Sequence, residues 1–160
     1  MRRSEIALRI KSCERMSFAG KAVIACFLEQ RQKAPGSLLT SAGFRVNDVR
    51  ECHDNLEETY LIRMFAVFEA ALRDHWCNFR GRRSHPNVEA LIDRIAARRY
   101  VRFDDIQHAH DVRNYRNSLL HGGAARIITI SQARRYLNMF LSYLPREWQR
   151  ITPHSETGVS

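Results

Sequence analysis

The stretch RNYRNSLLHGG, Arg113 to Gly123, places two arginines, two asparagines and a histidine directly before two glycines. Written on a helix at about 100° per residue, His110, Asn114, Asn117 and His121 fall within roughly 60° of one another and form one polar stripe. Ala109, Val112, Leu119 and Leu120 fall on the other side, and Arg116 projects from within that apolar arc. Histidine transfers protons near neutral pH. Arginine stabilises phosphoryl oxygens through paired hydrogen bonds, and an asparagine one turn before a histidine can orient it or hold phosphate. Cleaving RNA without a metal needs this set. A proton leaves the 2′-OH, a proton reaches the 5′-oxygen, and charge is stabilised on a five-coordinate phosphate. A second reading uses the same residues without chemistry: the two glycines cap a helix, and His121 is merely favourable at the negative end of its dipole. Residue types alone leave both open.

An arginine in an apolar arc needs a partner, because a charge removed from water is costly unless paired and hydrogen-bonded. Glu69 has the matching problem, on the face of a long helix shared with Ile62, Phe65, Ala66, Leu72 and Trp76. A Glu69–Arg116 pair would aim the guanidinium at the rim where His121 sits. The competing partner for Glu69 is Arg73, four residues on in the favourable Glu-before-Arg order. The pair to Arg116 is the one expected to form.

The elements that must position these residues are helices. Strand signals are scarce, and apolar residues recur at helical spacing through most of the chain. A first helical region spans about Ser4 to Gln32, with Ser17-Phe18-Ala19-Gly20 as the place where it could break, and Ala34-Pro35-Gly36-Ser37 ends it. A second runs from Val46 or Asn47 to Phe79. Its latter half, YLIRMFAVFEAALRDHW, is apolar around most of its circumference and must be the central, most buried element. Asn87 caps a short helix from Val88 to about Arg99, with Leu91, Ile92 and Ile95 facing inward. Asp104-Asp105 begin the helix that carries the motif. Ser131 caps a last helix to about Leu144, closed by Pro145, and the chain from Thr152 is expected to be a mobile tail. The prediction is an all-α bundle of four or five up-and-down helices forming a single domain over residues 1–151.

Composition bounds the partners. With 26 Lys+Arg against 17 Asp+Glu the net charge is +9, and the basic residues are mostly arginine, which suits planar phosphate acceptors. Nucleic acid leads, ahead of an anionic membrane surface. Cys13, Cys26, Cys52 and Cys77 form no C-x-x-C pair, and neither His53 beside Cys52 nor His75 near Cys77 has four-ligand spacing, so no metal or other cofactor is called for. The longest apolar run, Ala22 to Leu28, is too short to span a bilayer, and the charged N-terminus lacks the apolar core of a secretion signal. These features predict a cytoplasmic protein with reduced thiols and no membrane span.

Two basic clusters could track a phosphate backbone and stack bases: Arg80, Arg82, Arg83 and His85 in one turn, and Arg98, Arg99, Tyr100, Arg102 and Phe103 in another. Arg113 joins them as a candidate RNA contact. Each has a plain alternative as a solvated loop. Arg134-Arg135-Tyr136 is a weaker cluster of the same kind. His108 and His110 read as helix-surface residues, with His110 on the motif's stripe, and Trp76 and Trp148 read as packing residues.

The string Arg116-Asn117-Ser118-Leu119-Leu120-His121 resembles the R-x4-6-H signature of the HEPN superfamily, with Asn117 as the polar residue that commonly follows the arginine. The long second helix and the order of elements are also similar, over roughly Val46 to Leu144. The resemblance implies a small helical bundle acting as a metal-independent endoribonuclease, with Arg116 and His121 as the catalytic pair. Asn117, Glu69 and Asn114 would support them. It implies a homodimer whose two motifs line one cleft, 2′-OH attack leaving a 2′,3′-cyclic phosphate, and a role as toxin or phage-defence effector. A cognate antitoxin or regulatory protein is left open as a further partner. One subfamily carries tyrosine two residues after the histidine; Gly123 stands there in this chain, so silencing by nucleotide transfer onto that residue is not expected. The alternative is a non-catalytic helical module of the same build that holds RNA, a nucleotide or a partner protein.

Overall fold

In a computed structural model that describes residues 1–33, 45–80 and 86–148, the chain forms five α-helices. They are α1 (Arg3–Lys33), α2 (Val46–Arg80), α3 (Val88–Arg99), α4 (Phe103–His121) and α5 (Ile130–Ser142). The only β-type pairing among the described residues is one antiparallel bridge between Arg2 and Glu147. The fold is the expected all-helical bundle. The positions expected for the loop after α1 and for the tail from Thr152 lie outside the described residues.

α2 packs against all four other helices, and no other helix does. Its sequence dictates this: Leu61, Met64, Phe65, Phe68, Ala71 and Leu72 are all buried, so the apolar surface wraps too far round to be covered by one neighbour. Phe68 meets Phe65 and, edge-on at 5.6 Å, Phe140 of α5. α1 is continuous through Ser17-Phe18-Ala19-Gly20. A Cβ at Gly20 would stand 2.6 Å from Leu56 Cδ2 of α2, so a larger residue there would make that leucine shift.

Local signals place the helix ends. Asn87 Oδ1 accepts from the Ala90 amide at 2.8 Å and starts α3 where expected. α5 starts earlier than expected, because Thr129 and Gln132 form a reciprocal capping box, and the Ser131 hydroxyl instead donates to Glu14 of α1 at 2.8 Å. The Ile130 amide at that same helix start donates to Glu57 of α2 at 3.0 Å, and Lys21 donates to the other carboxylate oxygen. Burial opposes ionisation of Glu57, but these two bonds hold its carboxyl below the ordinary range. α5 stops at Ser142 rather than Leu144, where the Arg3 guanidinium takes the Ser142 and Leu144 carbonyls. Arg3 and Trp148 also exchange backbone bonds with Arg146 and Met1, strapping the start of the chain to the segment after α5.

Candidate active site

α4 delivers the motif. Asp105 in its first turn is buried and accepts from the Tyr143 hydroxyl at 2.8 Å, fixing the helix against the end of α5. Ala109 and Val112 are fully buried, which turns His110, Asn114, Asn117 and His121 away from the core. The helix closes at Gly122, whose amide donates to the Ser118 carbonyl at 2.9 Å. Gly122 and Gly123 have φ of 76° and 116°, values that side-chain-bearing residues rarely adopt, and nothing lies within 4 Å of where either Cβ would be. They turn the chain at the end of the helix.

The turn folds residues 124–126 back beside the last turns of α4 and encloses a groove of about 390 Å³. Asn114, Asn117, Ser118 and His121 line one side of it. Asp111 and Arg126 also line it, with Arg126 Nη1 3.9 Å from Asp111 Oδ2. Sequence reading missed Ser118, Asp111 and Arg126. Asp111 lies about 60° beyond the edge of the polar stripe, and Arg126 belongs to no regular element, so only the turn at Gly122-Gly123 brings Arg126 beside it.

Arg116 is partly buried and leans toward the core, its Cζ 5.8 Å from the centre of the Phe65 ring on α2. Its Nη1 donates to Asn117 Oδ1 at 2.9 Å, and its Nε is buried without a partner. The expected pair with Glu69 does not form. Glu69 Oε1 accepts from Arg73 Nε and Nη2 at 2.9 and 2.7 Å, and Arg73 Nη1 also reaches the Pro86 carbonyl. Two donors one turn away on the same helix meet the carboxylate without any tertiary rearrangement, whereas Arg116 faces a phenyl ring. Ala66, assigned to the Glu69 face, is exposed.

The remaining candidates divide. Arg113 is held to α3, donating to Glu89 at 2.5 Å and to Asn114 Oδ1 at 3.1 Å, so Asn114 both lines the groove and steadies Arg113. His110 is not a free surface residue. Its Nε2 lies 2.7 Å from Asp93 Oδ1, and His108 stacks on the buried Tyr136 at 3.9 Å with the rings nearly parallel. Arg134 is paired with Glu14 at 2.7 Å. Arg98 and Arg99 line a different groove, and Arg102 is exposed beside Asp104 at 3.6 Å. Arg82, Arg83 and His85 lie outside the described residues. Trp76 and Trp148 are buried, with Trp148 Nε1 donating to Asp74.

The chain was compared with family models, with curated proteins and with solved structures. It gives no match to any of them. Whatever function the chain has must be argued from its own residues. Among the described residues no three of His, Cys, Asp and Glu cluster where they could hold a metal ion, and no disulfide joins any of the four cysteines. No helix among them is long and apolar enough to cross a membrane. The chemistry on offer in the α4 groove is therefore that of an exposed imidazole, two amides and an arginine held one hydrogen bond away through Asn117.

Proposed function

We propose that the chain is a metal-independent endoribonuclease in which Arg116 and His121 carry the reaction. The observation that supports this most is the position of Asn117. Its Oδ1 accepts from Arg116, while its side chain lines the same groove as His121, so one amide links the motif's cation to the imidazole's surroundings. In this reading O2′ attacks phosphorus and the P–O5′ bond breaks. The 2′-OH proton passes to a base, a second proton is delivered to the departing 5′-oxygen, and the products are a 2′,3′-cyclic phosphate and a 5′-OH. One groove holds one histidine of the motif, and an acid and a base are both required. A homodimer bringing two motifs together across a two-fold axis supplies the second. Toxin and phage-defence roles fit such an activity, as does control by an antitoxin or regulatory protein.

A second reading rests on the inward lean of Arg116 onto Phe65, which makes the guanidinium a packing group and leaves the groove a binding module for RNA or nucleotide. The two readings separate in one experiment. Purified wild type and His121→Ala are incubated with total RNA in EDTA, and product ends are resolved. Cleavage by wild type alone with cyclic phosphate ends is the expected outcome. RNA that shifts in mobility without shortening supports the binding module and removes the nuclease.

A further inference from the structure

A second groove, of about 780 Å³, lies where the end of α2 meets the end of α3. Its walls are Trp76 and Phe79 from α2, and Arg94, Ala97, Arg98, Arg99 and Tyr100 from α3 and its cap. No carboxylate lines it, and none of its three arginines has an ion-pair partner among the described residues. The cations are interleaved with aromatic rings. The Arg98 guanidinium lies over Phe79, its Cζ 3.5 Å from the ring centre, and Arg80 approaches the Trp76 ring at 5.9 Å. Two donors at the groove are buried without a protein acceptor: Nε1 of Trp76, a residue only 8% exposed, and Nε of Arg99.

Tyr100 is the least expected feature. It is the sole non-glycine residue with positive φ among those described, 52° at the C-cap of α3, a position that glycine or asparagine fills at lower cost. A bulky residue tolerated there would ordinarily be fixed by packing, yet Tyr100 is 90% exposed. Its ring contributes little to the core in exchange for the backbone cost. The left-handed turn closes α3, the Tyr100 amide donating to the Ala96 carbonyl, and it leaves the phenol ring presented to solvent beside the groove.

We propose that this groove is a binding site for single-stranded nucleic acid, with Tyr100 as a stacking platform for an unpaired base and Arg94, Arg98 and Arg99 taking the adjoining phosphates. The groove shares no lining residue with the one along α4. The site is therefore independent of whether His121 performs any chemistry.

The test is fluorescence anisotropy of a labelled 2′-O-methyl single-stranded decanucleotide, which cannot be cleaved by 2′-OH attack, titrated with the intact chain. Tyr100→Gly is expected to weaken binding roughly five- to hundredfold while leaving the melting temperature unchanged or higher, because glycine relieves the positive φ. Tyr100→Phe should bind like wild type. Arg94→Ala with Arg98→Ala should weaken binding more than Arg9→Ala with Arg15→Ala, which removes equal charge from the exposed side of α1. Absence of binding by wild type, equal losses from the two arginine pairs, or unchanged binding by Tyr100→Gly would each overturn the proposal. Displacement by poly-glutamate as effective as by unlabelled oligonucleotide would also overturn it, and would reassign the groove to acidic peptides.

Discussion

Arg116 and Asn117 are neighbours in sequence on α4 and hydrogen-bonded to each other, guanidinium to amide oxygen, at 2.9 Å. Adjacent helical residues normally point about 100° apart, so this contact requires the arginine to curl from its apolar arc toward the polar stripe. The same arginine touches Phe65 with its other side. Asn117 is thus the element that divides Arg116 between packing and the groove.

Asn117→Ala removes the acceptor from Arg116 and one wall of the groove. RNA cleavage should fall at least about tenfold, and stability should drop by only about 1 kcal/mol, the ordinary net worth of one hydrogen bond. Cleavage rate and thermal unfolding measured on the same preparation check this. A variant that melts much earlier with unchanged activity per folded molecule would make Asn117 structural.

Arg116→Met keeps an unbranched stem against Phe65 and deletes an Nε that is buried without a partner. Stability should stay within about 1 kcal/mol of wild type, because replacing an unsatisfied buried group by an apolar one of similar shape is nearly neutral. Cleavage should be lost. Urea unfolding midpoints and the metal-free assay give the two numbers, and retained cleavage would remove Arg116 from the chemistry.

Glu69→Gln tests the partnership that the fold chose. The Glu69–Arg73 pair is partly exposed, 22% and 32% at the two side chains, so its loss should cost about 0.5 to 1 kcal/mol and no more. Cleavage should be unaffected. Loss of activity at unchanged stability would mean that Glu69 acts on Arg116 in the functional assembly.

His75 predicts an acid instability outside either groove's chemistry. Burial against Trp148, together with the nearby Arg99 charge, lowers its pKa from 6.5 to about 4, with Asp74 opposing in part, and its Nδ1 is buried without a partner. The folded state holds His75 neutral while the unfolded state takes up a proton below about pH 6.5. Its stabilising contribution is therefore full above pH 6.5 and is lost progressively as pH falls toward 4, by up to about 3 kcal/mol. Melting temperatures of wild type and His75→Gln across pH 7.5 to 4.5 should converge on the acid side. Parallel curves would remove His75 as the cause.

The helices were legible in the residue pattern to within a few residues at their ends. Apolar spacing at helical period, Asn87 as a cap, and the largely apolar half of α2 are local properties, and local hydrogen bonds and burial act on them in any tertiary setting. The candidate residues of the motif were legible for the same reason, since 100° per residue places Asn114, Asn117 and His121 on one stripe, and all three line one groove. The pairing of long polar side chains was not legible in the residue pattern, because it depends on which helices lie together. Glu69 had two arginines within plausible reach, and the choice fell to Arg73 because Phe65 occupies the direction Arg116 takes. His110 reached Asp93, and Arg113 reached Glu89, only because α3 lies against α4. Ser131 gave up its cap once Glu14 of α1 came within 2.8 Å. Flexible charged side chains have many partners of similar energy in sequence, and close packing of the helices selects among them.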